Sequence, residues 1–434
     1  MLKKISQIAA VSIFALGTIT SNFAQDASSS ALFEYSAINH PVMGRSGMVA
    51  SHNALSSMIA AEIMSNGGNA IDAGAALGFA LAVTLPRAGN IGGGGFMLVH
   101  VAEINKTIAI DFRETAPASA SQEMFFDDDG NVVLDETYRF SHKSSAIPGS
   151  VAGLAYIVEE YGTMTLAEVL EPAIRLARDG IEVTHELAED LARSQRLKNN
   201  PASLRKFYKQ DGSNYEVGEI FKQPDLAWTL SEIAIHGADA FYRGSVAEKI
   251  VNDMAAHNGL ITMDDLANYT VLEREPVRGN FRGYDIAAMP APSSGGTHVI
   301  QMLNILENFP LAEMGAESAD ALHIMSEAMK FSYADRSKYL GDPDFVEVPT
   351  ETLTSKEYAR EIARKISIDQ ALPSDDIAPG NLAIYESDET THYSVVDDEG
   401  NMIGNTYTLM FSFGSGVVIE GTGILMNNNM GNFT

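Results

Sequence analysis

Two kinds of apolar spacing divide the chain. From Gly47 to Pro86 the residues are small and apolar almost throughout, with Ala54, Met58, Ala61, Ile63 and Met64 followed by a run from Ala70 to Val83. Asn66-Gly67-Gly68-Asn69 interrupts them, which predicts two buried helices split by a tight turn and packed closely enough to need Ala and Gly. Gly92 to Gly95 then lead into a strand-like stretch from Phe96 to Ala102, Glu103-Ile104-Asn105-Lys106 reads as a turn, and Thr107 to Phe112 returns as a strand delivering Arg113 at its end. The glycine run is not followed by Gly-Lys-Ser/Thr and does not complete Gly-x-Gly-x-x-Gly, so it predicts a turn where backbones approach closely rather than a phosphate loop. Residues 150–370 are mainly helical in pattern and predict outer layers, with capping boxes at Thr165-Leu166-Ala167-Glu168 and Thr354-Ser355-Lys356-Glu357 and apolar spacing at Leu322, Met325 and Met329. Ala371 to Thr390 is polar and rich in breakers, the pattern of an exposed border. Beyond it, Thr390 to Val396 and Met402 to Leu409 flank the polar turn Asp397-Asp398-Glu399-Gly400-Asn401, which predicts a hairpin with Thr390 at its open end.

Composition narrows the chemistry. The chain has 434 residues, 45% of them hydrophobic, enough for a large core, and it has no Cys. Disulfides, Cys-ligated zinc and thiol nucleophiles are therefore excluded, leaving hydroxyls, carboxylates and His. Met1-Leu2-Lys3-Lys4, an apolar run from Ile5 to Ile19 and small residues near Ala24 read as a secretory signal over residues 1–24. The run falls short of the roughly 18–20 residues that span a bilayer. Its removal takes two lysines and no acid, so the net charge of −28 becomes −30. That charge opposes binding to nucleic acid or anionic membranes and fits a periplasmic or secreted protein.

Several motifs resolve to ordinary structure. Asp127-Asp128-Asp129-Gly130-Asn131 lacks the Glu that a calcium loop needs at its twelfth position and reads as a solvated turn. Gly149-Ser150-Val151-Ala152-Gly153 has the wrong spacing for a nucleophile elbow, no His-Glu-x-x-His occurs, and the ten His are scattered. Pro292-Ser293-Ser294-Gly295-Gly296 reads as a Ser/Gly turn. We assign no metal and no cofactor. Thr390 is an ordinary strand entrance unless the bond before it is cut. In that case its new α-amino group, with a reference pKa of about 7.7–8.0, could take the proton from its own hydroxyl.

The run Thr390-Thr391-His392-Tyr393-Ser394-Val395-Val396-Asp397, with Thr406-Tyr407-Thr408-Leu409, Phe413-Gly414-Ser415-Gly416, Gly423-Ile424-Leu425 and Asn427-Asn428-Asn429-Met430, closely resembles the γ-glutamyltransferases, N-terminal-nucleophile hydrolases. The resemblance extends to Asn66 to Ala73, Gly92 to Phe96, Asp111-Phe112-Arg113-Glu114 and Pro292 to Gly296. It implies an α+β fold, a four-layer αββα sandwich, and self-cleavage between Glu389 and Thr390 into a large-subunit region, 25–389, and a small-subunit region beginning at 390. It further implies that Thr390 is the nucleophile, that Thr408 steadies it, and that Arg113 holds the α-carboxylate of a γ-glutamyl donor such as glutathione. The acyl group would pass to water, an amino acid or a peptide.

Three positions depart from the family pattern: Met410 stands where Asn is usual, Asn429 where Gln or Glu is, and Asn432 where Asp is. These positions, Asn429 and Asn432 among them, are where the family holds the donor's ammonium, so a glutaryl-type amidase or acylase is the alternative activity. The Pro-Gly-Gly-Ser segment of the family is not found before Thr434, from which we expect a truncated or partial chain. A secreted binding or structural protein that keeps the fold without turnover is the alternative of another class.

Overall fold

The computed structural model describes residues 42–126, 129, 136–377 and 390–433. The signal segment 1–24, Glu389, and most of the acidic turn at Asp127 to Asn131 lie outside the described residues. The chain divides into Met1–Arg45 and Ser46–Thr434, and the architecture that follows is that of the second unit.

Its described residues form ten strands, β1 Gly47–Ala50, β2 Gly94–Val101, β3 Lys106–Phe112, β4 Ile181–Glu182, β5 Ile220–Phe221, β6 Leu272–Arg274, β7 Val277–Phe281, β8 Tyr284–Ala288, β9 Thr391–Asp397 and β10 Met402–Thr408. Six of them form one antiparallel sheet in the order β1-β9-β10-β2-β3-β6, and the short pairs β4-β5 and β7-β8 stand apart. The β9–β10 hairpin is the one the alternation predicts. Tyr393 and Val395 face inward while His392 and Ser394 face out, so one sheet face is apolar and covered and the other is not.

The covered face lies on the two helices foreseen from the small apolar run, Ala54–Ser65 and Ala70–Thr84. Every residue of Ala70–Thr84 is buried, which explains its lack of a polar stripe. Glycine sets how closely it meets the sheet. A Cβ at Gly74 would come 2.7 Å from Ile403 Cδ1, and one at Gly78 would come 2.8 Å from the Tyr393 hydroxyl. Tyr407 donates its hydroxyl proton to the Gly78 carbonyl across 2.9 Å in the same contact. Asn69 caps the helix in a reciprocal box with Asp72. Asp72, fully buried, also accepts from the Thr163 amide and hydroxyl at 2.9 and 2.7 Å, which anchors the helix to the turn before helix Leu166–Asp179.

One local reading needs correction. The second capping residue is Ser355, whose hydroxyl accepts from the Tyr358 amide at 3.1 Å, and not Thr354. Thr354 instead turns its hydroxyl back to the Thr350 carbonyl. In helix Ala319–Tyr339 the spaced residues Leu322, Met325 and Met329 are 44–53% exposed, and the buried stripe is Ala321, Ile324, Ala328 and Ser332 with Glu327. The periodicity identified the helix but marked its outer side, because small residues sit where the neighbouring helix Ser294–Leu306 packs. The Ser/Gly turn at 292–296 is the start of that helix, with Ser293 accepting from the Gly295 amide as its cap.

Candidate active site

Thr390 lies one step beyond the Thr391–Tyr407 pair of the hairpin, so the strand register alone brings it opposite Thr408. Their hydroxyl oxygens are 3.5 Å apart. Thr408 is 5% exposed and its oxygen accepts the Met410 amide at 2.9 Å, which fixes its rotamer. Thr390 is exposed, as a nucleophile meeting a substrate has to be.

The glycine run explains how the other strands approach this end of the sheet. A Cβ at Gly93 would come 2.0 Å from the Thr408 carbonyl oxygen, one at Gly92 2.2 Å from that of Leu425, and one at Gly95 2.3 Å from that of Thr406. Backbone packs on backbone there, as the missing phosphate-loop residues foretold. The Gly93 carbonyl then accepts the amides of Gly149 and Ser150 at 2.8 and 2.9 Å, seating the first turn of helix Ser150–Tyr161 beside the site.

Asp111-Phe112-Arg113-Glu114 divides its labour side chain by side chain. Asp111 accepts the Arg113 amide at 3.0 Å with one oxygen and the Arg274 guanidinium at 2.9 Å with the other, stiffening the strand end against β6. Phe112 is fully buried in the core. Arg113 leaves the sheet with its side chain 34% exposed and its guanidinium 5.7 Å from the centre of the Phe96 ring. Such a guanidinium keeps its planar fork available for a carboxylate.

Glu114 turns the other way, and its side chain is 1% exposed. It accepts the Asn429 side-chain amide through Oε1, and its Oε2 is 3.6 Å from Arg113 Nε. Burial pushes its carboxyl above the usual range, with Arg113 opposing the shift. The folded chain therefore holds this proton more tightly than the unfolded chain. The resulting stability is fully present below pH 4.5 and is lost as pH rises through the raised value. Glu114→Gln keeps an acceptor for Asn429 but has no proton to lose. Its Tm relative to wild type is expected to climb as pH rises above 4.5, and a difference that is flat with pH overturns this assignment.

The run Asn427-Asn428-Asn429 latches the remaining loops. Asn427 donates to the carbonyls of Gly92 and Ala146, both at 2.8 Å, and accepts from the Ala146 amide at 2.9 Å. Asn428 accepts the Phe411 amide at 3.2 Å. Asn429 opens the turn Asn429–Phe433 and is 2% exposed. Asn432 lies in that turn, and its side chain is outside the described set. Met410, at φ +82°, is 5% exposed and borders a pocket with Phe125, Arg139, Ser144 and Phe411. A positive φ on a non-glycine residue is strain of the kind found at ligand sites, and Phe413 at φ +60° repeats it three residues on.

The structure thus gathers Thr390, Thr408, Arg113 and Asn429 at one end of the sheet, all foreseen. Glu114, Phe96 and Asn427 were not singled out for this site. The position of Glu114 next to the motif's Arg was the one available signal, and nothing local marks Asn427, because its partners lie 281 and 335 residues away.

Comparison with known proteins agrees with this arrangement. The chain is 51% identical over 397 residues to the glutathione hydrolase proenzyme of Escherichia coli (strain K12), covering 91% of this chain and 68% of that protein. The crystal structure of Helicobacter pylori gamma-glutamyltranspeptidase matches with a TM-score of 0.75 at 43% identity, over 81% of this chain and 99% of that one. The cephalosporin acylase from Bacillus halodurans matches with a TM-score of 0.79 at 31% identity, over 93% and 73%. These likenesses bear out the α+β class and the N-terminal-nucleophile hydrolase fold. With the gamma-glutamyltranspeptidase family model matching residues 56–434, the chain belongs to the gamma-glutamyltranspeptidase family.

Proposed function

We propose that this enzyme hydrolyses and transfers the γ-glutamyl group of glutathione and related γ-glutamyl amides, using Thr390 after cleavage of the bond between Glu389 and Thr390. The observation that carries the reading is the juxtaposition of the Thr390–Thr408 hydroxyl pair with Arg113 and the Glu114–Asn429 pair. Cleavage would divide the chain into a large-subunit region, 25–389, and a small-subunit region from 390 that stay together through the continuous sheet, in which β9 and β10 lie between β1 and β2.

In turnover the freed α-amino group accepts the proton of the Thr390 hydroxyl as its oxygen attacks the γ-carbonyl carbon. The tetrahedral adduct collapses with breakage of the C–N bond, and the ammonium returns its proton to the departing amine. Water, or the amine of an amino acid or peptide, then attacks the Thr390 ester and frees the hydroxyl. Arg113 would hold the donor's α-carboxylate by a bidentate pair. Among the described residues no helix is long and apolar enough to cross a membrane. The amino-terminal signal pattern supports export to the periplasm or medium.

A second reading is favoured by one observation: Met410, which offers no donor or strong acceptor, occupies a buried position at the pocket beside Asn428, while Asn429 and Asn432 are neutral. A site so furnished should discriminate weakly between a γ-glutamyl donor and its deamino counterpart, the glutaryl group, and the likeness to a cephalosporin acylase supports the same reading. The test is kcat/KM for paired γ-glutamyl and glutaryl anilides on the full-length protein, wild type beside Asn432→Asp. A hydrogen bond to a charged group contributes about 1.5–3 kcal/mol, so the Asp variant is expected to shift preference toward the γ-glutamyl donor by roughly tenfold or more. A wild type that already rejects the glutaryl anilide by several orders of magnitude removes the acylase reading, and one that turns over neither anilide removes both.

A further inference from the structure

Two of the ten histidines, His142 and His257, converge on one aspartate outside the candidate active site. His142, in the short turn His142–Ser144, points at Asp253 of helix Ser245–Ala256, with Nε2 3.0 Å from Oδ2. His257, just past the end of that helix, brings Nδ1 within 3.4 Å of Oδ1 of the same carboxylate. One ligand atom from each of the three side chains lies within 4.8 Å of the others. His142 is buried and Asp253 mostly covered, with 8% and 11% of their side chains exposed, whereas His257 is 55% exposed and leaves the third side open.

We propose that His142, Asp253 and His257 form a binding site for a divalent transition metal of the zinc class. Two imidazole nitrogens and one carboxylate oxygen are the donor set that zinc takes at about 2.0–2.2 Å, and they do not suit calcium or magnesium, which take oxygen. Tetrahedral ligation at those lengths places ligand atoms about 3.3 Å apart. The histidine contacts, at 3.0 and 3.4 Å, are of that order but go to different oxygens of Asp253, and His257 Nδ1 also meets the Asp253 backbone carbonyl at 2.9 Å, a contact that ligation has to replace. The rings are nearly parallel, 12° between planes with centroids 4.5 Å apart, so one of them has to turn for both lone pairs to meet a single ion. The ring that can turn is His257, exposed and at a helix end. Gly259 keeps this corner tight, since a Cβ there would come 3.1 Å from His142 Cβ. Solvent would fill the fourth position.

Binding would have a consequence for the active site. The turn His142–Ser144 packs against the turn Asn429–Phe433, and Ser144 borders the pocket with Met410 and Phe411. An ion tying His142 to helix Ser245–Ala256 would brace that wall of the pocket.

The experiment is titration of metal-free full-length protein with zinc chloride by calorimetry, with magnesium and calcium as controls, on wild type, His257→Ala and His142→Gln. We expect one zinc per chain in wild type, no response to magnesium or calcium, and affinity at least tenfold weaker in both variants. His257→Ala removes an exposed ring and should leave the fold intact, which circular dichroism checks, so it remains informative if His142→Gln misfolds. No zinc binding by wild type up to about 1 mM, or equal binding by wild type and a folded His257→Ala, overturns the site.

Discussion

Thr390→Ala in the full-length protein is expected to stay a single band on a denaturing gel and to lose γ-glutamyl transfer by about 10⁴-fold or more, the scale on which removal of an acyl-forming nucleophile acts. Wild type should show two bands, the smaller beginning at Thr390. So large an effect is expected because, on the proposed function, one residue would carry two roles: its hydroxyl would form the acyl-enzyme and its amino group, once free, would be the base. Thr408 cannot substitute, because it is buried inside β10, its oxygen already holds the Met410 amide, and its own nitrogen belongs to the chain. Thr390→Ser retains both groups and should still split. A Thr390→Ala protein that divides at the same bond, or that keeps wild-type turnover, would place the nucleophile elsewhere.

Arg113→Ala is expected to weaken donor binding by about 2–5 kcal/mol, or roughly 30-fold to several thousandfold, expressed chiefly as a raised KM. The position of this guanidinium supports the upper part of that range. It is two-thirds covered, backed by Phe96 at 5.7 Å, and fixed at its base by the Asp111 contact to its own amide. Removing it also takes away the cation that opposes the upward shift of the Glu114 carboxyl, so Glu114 is held more firmly in its protonated form. Arg113→Lys keeps the charge but not the planar fork and should restore only part of the loss. Unchanged KM and kcat in Arg113→Ala would move the carboxylate site away from this strand end.

Glu114 also qualifies how the three neutral substitutions are understood. One layer back stands Glu114, an acid that Asn429 itself contacts and whose carboxyl burial pushes toward the protonated form. An amide that donates to Glu114 through its nitrogen turns its oxygen the other way, so a donor ammonium could still meet an amide oxygen as its acceptor. The anilide comparison therefore measures how well that amide oxygen replaces a charged acceptor.

The sequence by itself determined the local elements and the chemical inventory of this protein. Alternation over 391–408 defined the β9–β10 hairpin and put Thr390 at its open end, small-residue spacing defined the two helices under the sheet, and the run Gly92 to Gly95 announced backbone contact. Those properties are legible because side-chain period and turn chemistry act over a few residues. The absence of Cys left hydroxyls, carboxylates and His for the chemistry, and the resemblance to the γ-glutamyltransferases implied a Thr nucleophile and a carboxylate-binding role for Arg113. What only the tertiary structure decided is every pairing across long stretches of chain. Asn427 latches to Gly92 over 335 residues, Glu114 meets Asn429 over 315, and His142 meets Asp253 over 111. In helix Ala319–Tyr339 it also decided which of two plausible faces was inside. Periodicity along a chain says how a residue is oriented relative to its near neighbours. It carries no record of which distant segment will arrive opposite, and that depends on the packing of the whole core.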